Sequence, residues 1–349
     1  MLTAEQKALF EKWSREKRLI SVVVLMRSAY FGGLENLVKP DDVALVAFVP
    51  ECAKQAAVQR GQECFDLILY CDISQVKFAE LQGFDNIEYP ALEEFGDEMA
   101  QLVDLSKLQL IHGTEMDFMA VGRLRERLGI AGPYVSDLKR ICDKSQVKRI
   151  ANKNNIPTAK SITVDFASID CRPEILLYEI EAAIGEYPMF KRPILLAGCI
   201  GAEKIKCRSA LLKWIKQRID QQDSHTYLIE EYLTGREFLA TVCLLADGTF
   251  EPLVVKYLEF GWSNVLYLKT GRPLPILVDS FYNSEREFPN LRNFVKNVID
   301  VFKPPYPHVF AVQGYQRTLQ TDDYLLVELS HRPAGSRTNS VCYDACGRS

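Results

Sequence analysis

The stretch LLVELSHRPAGS, residues 325–336, combines an apolar run with charged residues. The leucines and valine around Glu328 are typical of a buried strand, and Arg332 follows shortly afterwards. A buried carboxylate is costly unless a metal ion or an opposite charge compensates it. The sequence therefore predicts a functional carboxylate at Glu328, whose partner must come from elsewhere in the chain.

The composition is that of a globular protein with no general affinity for nucleic acid. The chain has 349 residues, of which 48% are hydrophobic and 25% charged, and its net charge is −4. Nucleic-acid binding normally requires a basic face, so we expect no such partner, although a local phosphate pocket remains compatible with this charge. The length predicts two or three domains.

The sequence also predicts a cytoplasmic protein outside the membrane. No apolar run approaches the roughly 18–20 residues that span a bilayer. Residues 1–18 are charged from Glu5 onward and predict an amphipathic helix, not a secretory signal. The ten cysteines include no C-x-x-C pair, which is typical of reduced thiols. Cys342 and Cys346 lack a completing cluster for zinc, and the four histidines are too dispersed to predict a metal cage.

The fold class predicted from the pattern is α/β plus α+β. Strand-like runs alternate with helical segments such as 51–60 and 116–128, which predicts a parallel sheet with crossover helices. These first strands are predicted at 21–26, 43–49, 65–71 and 108–113. No G-x-G-x-x-G follows the first strand, so dinucleotide binding is not indicated.

The rest of the chain predicts a small α+β lobe and then a β-rich lobe. A helix that starts at Ser136 or Asp137 ends before Pro157, where a strand begins. Further helices are predicted at 173–183, 208–220 and 285–302, and further strands at 226–232, 237–245, 251–258, 264–268, 308–316 and 323–329. We therefore predict three units, with residues 1–135, 136–228 and 229–349.

Two further segments combine strands with charged residues. In YPMFKRPILLAGCIGAEKI (187–205), Lys191 and Arg192 end a strand before a loop with Gly198 and Gly201. Glycines let backbone N–H groups approach an anion, although a simple turn has the same composition.

The segment LIEEYLTGREF (228–238) carries acids at Glu230, Glu231 and Glu237. It fits either a hairpin with solvated acids or a hinge whose backbone bonds a purine edge. In the second interpretation Glu237 accepts hydrogen bonds from ribose hydroxyls.

The order and spacing of four motifs resemble the ATP-grasp superfamily of ligases over essentially the whole chain. The motifs are Asp143-Lys144, Lys191-Arg192 with the glycine loop, Glu230 to Glu237, and Glu328 to Arg332. The segments HGTEMDFMAVGRLRERLGIAG (112–132) and CDKSQVKRIANKNNIPTAKSI (142–162) resemble the family's entry into its nucleotide-binding region.

The resemblance implies an ATP site. Lys144 matches the first phosphate-binding lysine, while Arg192 stands where the family usually has a second lysine and Lys191 points to the other face. The loop with Gly198 and Gly201 matches the lid over the phosphates. Glu230, Glu231 and Leu233 match the family's adenine-site hinge. Glu237 matches its ribose contact.

The resemblance also implies a Mg²⁺ site at Glu328. The family usually adds an asparagine, where this chain has Ser330, and a second acid, where it has Gln313. One carboxylate can hold a single Mg²⁺ together with phosphate oxygens, so one metal ion is expected and two are not. Asp322 or Asp323 are alternative contributors, although both also fit a solvated turn.

The activity implied is an ATP-dependent carboxylate–amine ligase with an acylphosphate intermediate. Arg192 would stabilise the transferred phosphoryl group, and Arg332 would hold the substrate carboxylate or the acylphosphate. The substrates most like the motifs are amino acids, as in ligases that join two L-amino acids. A biotin-dependent carboxylase and an enzyme that adds amino acids to a protein are alternatives within the fold.

A second class of function stays open. The departures at Arg192, Gln313 and Ser330 also fit a catalytically reduced ATP-binding protein with a regulatory or scaffold role. The oligomeric state is open as well, with a homodimer as one prediction.

Overall fold

In the described part of the chain, three β-sheets with separate hydrophobic cores follow one another in sequence. The computed structural model describes residues 2–26, 39–54, 64–74, 76, 87–114, 117–170, 172–194, 201–262, 275–305 and 307–332. The predicted strand 264–268, Gly198, Cys342 and Cys346 lie outside these residues. Among the described residues, no helix is long and apolar enough to cross a membrane.

The first sheet is parallel, as the alternating pattern predicted. Its strands are β1 (Leu19–Val24), β2 (Val43–Pro50), β3 (Leu67–Cys71) and β4 (Leu108–His112), in the order β3-β2-β1-β4. The accompanying helices are α1 (Ala4–Glu16), α2 (Pro90–Leu102) and α3 (Phe118–Leu128). The first helix begins at a capping box formed by Thr3 and Gln6, and it buries Phe10 and Trp13 in the core of this sheet.

The central sheet is antiparallel and has the order β5-β8-β6-β7. It contains β5 (Ser161–Asp165), β6 (Met189–Pro193), β7 (Glu203–Ile205) and β8 (Thr226–Glu231). Helices α6 (Pro173–Ile184) and α7 (Arg208–Asp220) cover one face and bury Trp214 there. The other face carries the buried charges described below.

The third sheet is antiparallel, in the order β11-β10-β9-β12-β13. It contains β9 (Arg236–Leu244), β10 (Phe250–Leu258), β11 (Ile276–Ser280), β12 (His308–Gln316) and β13 (Tyr324–Ser330). Helices α8 (Phe281–Ser284) and α9 (Leu291–Phe302) follow β11. The apolar residues of α9 belong to the hydrophobic core of this sheet. Helices α4 (Val135–Cys142) and α5 (Lys144–Lys153) contribute Ile141, Val147 and Ala151 to the same core.

Of two predicted helices, one is divided in the structure and the other is shorter than predicted. The helix expected from Ser136 breaks at Asp143, whose carboxylate accepts hydrogen bonds from the backbone N–H groups of Ser145 (2.8 Å) and Gln146 (3.2 Å) and starts α5. The helix expected over 285–302 begins only at Leu291, because residues 285–290 form turns and Asn290 has a left-handed φ of 59°. The unit boundaries at 135 and 228 remain predictions, although the whole of β8 lies in the central sheet.

Candidate functional site

The first turns of α5 carry two buried lysines, Lys144 and Lys148, that face the carboxylates of Glu328 and Glu230. Lys144 and Lys148 are four residues apart and therefore share a helix face. Both side chains are almost fully buried, at 6% and 4% exposure. The ammonium of Lys144 donates to the carbonyl of Ile194 (3.3 Å), and the ammonium of Lys148 lies 2.8 Å from a carboxylate oxygen of Glu230.

Arg192, at the end of β6, lies between two carboxylates. Its Nε donates to Glu230 Oε2 (2.7 Å), its Nη1 donates to Glu328 Oε2 (3.2 Å), and its Nη2 donates to the carbonyl of Val327 (3.2 Å). The other oxygen of Glu328 lies 3.8 Å from Lys144 Nζ. The partner of Glu328 among the described residues is thus a pair of cations, one from β6 and one from α5.

The group of Lys144, Lys148, Arg192, Glu230 and Glu328, here called the buried charge cluster, has one positive charge in excess. Burial raises the pKa of the Glu230 carboxyl, but the charges of Arg192 and Lys148 outweigh it and leave that pKa below its ordinary value. Burial likewise lowers the pKa of the Lys148 ammonium, and Glu230 offsets this only in part. A cluster of buried cations with this excess is suited to an anionic ligand.

Lys191 lies on the opposite face of β6, as strand alternation predicted. Its ammonium lies 3.3 Å from Glu203 and 5.3 Å from the centre of the Trp214 ring. It also donates to the carbonyl of Gly201 (3.3 Å), which has a left-handed φ of 72°. Lys191 is therefore outside the buried charge cluster, and it contacts the end of the loop predicted to form the lid.

The predicted metal ligands lie on two paired strands. Gln313 of β12 is directly opposite Glu328 of β13, and Ser330 is two residues further along β13, on the same face. Carboxylate, amide and hydroxyl oxygens are of the type that Mg²⁺ prefers, and a single carboxylate is compatible with one ion that also binds phosphate oxygens. These residues fit one Mg²⁺, but Glu328 also shares its charge with Arg192 and Lys144.

The predicted ribose contact, Glu237, is held by two neighbours on β12. Its Oε1 accepts a hydrogen bond from Gln313 Nε2 (2.7 Å), and its Oε2 accepts one from the Tyr315 hydroxyl (3.3 Å). This bond fixes the orientation of the Gln313 amide, with its nitrogen toward Glu237. Lys256 of β10 lines a small cavity beside these residues.

The hinge segment connects the central sheet to the third sheet. The Glu231 carboxylate accepts a hydrogen bond from the backbone of Lys160 (3.0 Å), and Leu233 is half-buried. Gly235 has φ 131°, and a Cβ there would lie 2.4 Å from the carbonyl oxygen of Gln316. Only glycine fits this turn. The Glu230 side chain forms ion pairs with Lys148 and Arg192. The predicted adenine contacts of the hinge segment would therefore come from the backbone of the segment and from Leu233.

The structure brings most of the predicted site residues together, and it adds one that the sequence reasoning missed. Arg332 is half-buried, two residues beyond the end of β13. Lys148 was not predicted, although its spacing from Lys144 on one helix face was a usable signal. Gly198 lies outside the described residues.

Three of the four histidines also meet, so the expectation that they are too dispersed is wrong. His112, His308 and His331 have ligand nitrogens within 4.8 Å of one another. His112 Nε2 donates to the carbonyl of His331 (2.7 Å), and its Nδ1 lies 3.5 Å from the buried Arg125 guanidinium. Because coordination through Nε2 would move the proton onto the nitrogen that faces Arg125, this cluster is better explained as a hydrogen-bonded contact between the first and third sheets than as a metal site.

Comparison with known proteins identifies the fold. No family model matches the sequence. The L-amino acid ligase from Bacillus licheniformis is similar, with TM-score 0.59, 10% identity, and coverage of 95% of this chain and 70% of that chain. The N5-carboxyaminoimidazole synthetase from Staphylococcus aureus in complex with ADP has TM-score 0.60, 12% identity, and coverage of 96% and 79%. D-alanine–D-alanine ligase from Bacillus anthracis has TM-score 0.53, 12% identity, and coverage of 92% and 89%. The chain has the ATP-grasp fold, which confirms the fold class predicted from the sequence.

Proposed function

We propose that this protein is an ATP-dependent carboxylate–amine ligase that binds ATP between the central and third sheets. The observation that carries the proposal is the meeting of Lys144, Arg192 and Glu328 in one buried cluster. These residues come from α5, β6 and β13, three elements far apart in sequence, and the ligase motifs predicted their roles. The ligases among the solved structures of the same fold support the same class of reaction.

In the first step, a carboxylate oxygen of the substrate attacks the γ-phosphorus of ATP, and the bond to the β,γ-bridging oxygen breaks. The products are an acylphosphate and ADP. Positioning and charge stabilisation dominate such transfers. Lys144 and Arg192 would hold the phosphate oxygens, since both are cations of the buried charge cluster. Glu328, Gln313 and Ser330 would hold one Mg²⁺, which neutralises phosphate charge when it is bound.

In the second step, the nitrogen of an amine attacks the acyl carbon, phosphate leaves, and the nitrogen loses a proton. Arg332 would hold the substrate carboxylate or the acylphosphate, because a guanidinium matches either group with two parallel hydrogen bonds. The loop with Gly198 and Gly201 would exclude water from the acylphosphate. Amino acids are the proposed source of both substrate groups.

A second candidate function is a nucleotide-binding protein without ligase activity. The specific observation in its favour is that both carboxylates of the buried charge cluster are already ion-paired, while neutral Gln313 stands opposite Glu328. In this case ATP would bind and no acylphosphate would form.

The test is phosphate release from MgATP across pools of amino acids and small carboxylates, with Glu328→Gln beside the wild-type protein. Release that requires one pool and falls at least tenfold in Glu328→Gln supports the ligase. The matched control is Glu251→Gln, which changes an exposed glutamate on β10 and is expected to leave release unchanged. ATP binding by calorimetry with no release in any pool would favour the second candidate instead.

A further inference from the structure

The guanidinium of Arg192 donates a hydrogen bond to the carboxylate of Glu328, the predicted metal ligand. Each of its three nitrogens donates a hydrogen bond, to Glu230, Glu328 and the carbonyl of Val327. Its side chain is 10% exposed, whereas that of Glu328 is 23% exposed. The Arg192 side chain is therefore held within the protein by its hydrogen bonds. The Glu328 carboxylate is the more exposed member of the pair and the one that a ligand can reach.

An arginine can hold this arrangement where a lysine cannot. A guanidinium presents its N–H groups in a rigid planar fork, whereas an ammonium is a single point charge on a flexible chain. The three acceptors lie on β8 and β13, strands of two different sheets. One planar group thus spans the central and third sheets and brings a permanent positive charge to Glu328.

Glu328 already has two cationic neighbours, Arg192 and Lys144, without a divalent ion. Lys144 lies 3.8 Å from the oxygen of Glu328 that Arg192 does not contact. The neighbouring position on β12 is the neutral Gln313, whose amide nitrogen donates to Glu237. A divalent cation on Glu328 would lie close to two like charges, which weakens its binding.

We propose that Arg192 acts as a resident cation for Glu328, so that the site binds nucleotide with little dependence on Mg²⁺. This inference rests on the ATP site proposed above and concerns the binding of nucleotide; the Mg²⁺ proposed for phosphoryl transfer would bind Glu328 only together with the phosphate oxygens. Arg192 is a positioning residue for Glu328 in the ground state, in addition to its proposed contact with phosphate.

The first measurement is Mn²⁺ binding followed by electron paramagnetic resonance, with no nucleotide present. We expect the wild-type protein to bind Mn²⁺ at least tenfold more weakly than Arg192→Met, and Arg192→Met with Glu328→Gln to return to the wild-type level. If Arg192→Met fails to fold, the test is the comparison of Glu328→Gln with the wild-type protein. Their affinities for Mn²⁺ should then be equally weak. A tenfold loss of Mn²⁺ binding in Glu328→Gln alone would overturn the proposal.

The second measurement is calorimetry with a non-hydrolysable ATP analogue, in Mg²⁺ and in EDTA. We expect the dissociation constant of the wild-type protein to change by less than threefold, and that of Arg192→Lys to rise at least tenfold in EDTA. Strong Mg²⁺ dependence of the wild-type protein would contradict the inference. Absence of analogue binding under both conditions, with the expected Mn²⁺ results, would refute the nucleotide site and leave the charge balance at Glu328 supported.

Discussion

Replacement of Lys148 by methionine should destabilise the contact between α5 and the central sheet. The Lys148 ammonium lies 2.8 Å from Glu230, and the two side chains are 4% and 7% exposed. Removal of one partner of a buried ion pair costs about 3–5 kcal/mol. Glu230 keeps the Arg192 hydrogen bond at 2.7 Å, so we expect the lower end, about 3 kcal/mol.

Native-state hydrogen exchange is the appropriate assay, because a chain with several cores need not unfold in one step. A loss of about 3 kcal/mol corresponds to roughly 100-fold faster exchange of the β8 amides wherever exchange follows opening of this contact. The control is Lys12→Met on the exposed face of α1, which should leave β8 unchanged. Exchange in Lys148→Met within threefold of the wild-type rate would refute the reasoning.

Three further outcomes are expected from other parts of the structure. Glu237→Gln should weaken binding of an ATP analogue about tenfold in calorimetry, because a ribose contact loses its charged acceptor, and unchanged affinity would remove Glu237 from the site. Gly235→Ala should destabilise the hinge by more than about 1 kcal/mol, because its φ of 131° and the 2.4 Å approach to a carbonyl exclude a side chain; equal thermal stability would contradict the geometry. Burial raises the pKa of the Asp223 carboxyl, but hydrogen bonds from His225, Tyr227 and Arg218 leave it below its ordinary value of 3.8. The wild-type protein should therefore exceed Asp223→Asn in stability above pH 4, and the difference in urea midpoint should shrink as the pH falls further; a constant difference would exclude this linkage.

The fold could be predicted from the sequence because its signals are local and strong. The four parallel strands of the first sheet are nearly continuous apolar runs, and each lies within two residues of its predicted bounds. The helix boundaries were less predictable where one polar side chain decides them. Asp143 caps α5 and ends α4, but the sequence indicated it only as part of the Asp143-Lys144 motif within a single predicted helix.

The site was only partly predictable, because pairing between distant segments determines its electrostatics. The motifs indicated Lys144, Arg192 and Glu328, and the structure places their side chains together. The sequence left a metal ion or an opposite charge open as the partner of Glu328, and the family resemblance implied Mg²⁺. Nothing in a linear pattern shows that Arg192, 136 residues away, reaches Glu328. The histidine cluster was missed for the same reason, since His112 and His331 are separated by 219 residues.

Helix α5 has a consequence for how far this fold can be rearranged. Its apolar residues belong to the core of the third sheet, yet Lys148 forms an ion pair with a strand of the central sheet. Exchange of the segment from β5 to β8 with that of another protein would separate Lys148 from Glu230 and Arg192 from Glu328. Chimeras of this protein should therefore be more stable when the incoming segment has an acid at the position of Glu230 and a guanidinium at that of Arg192.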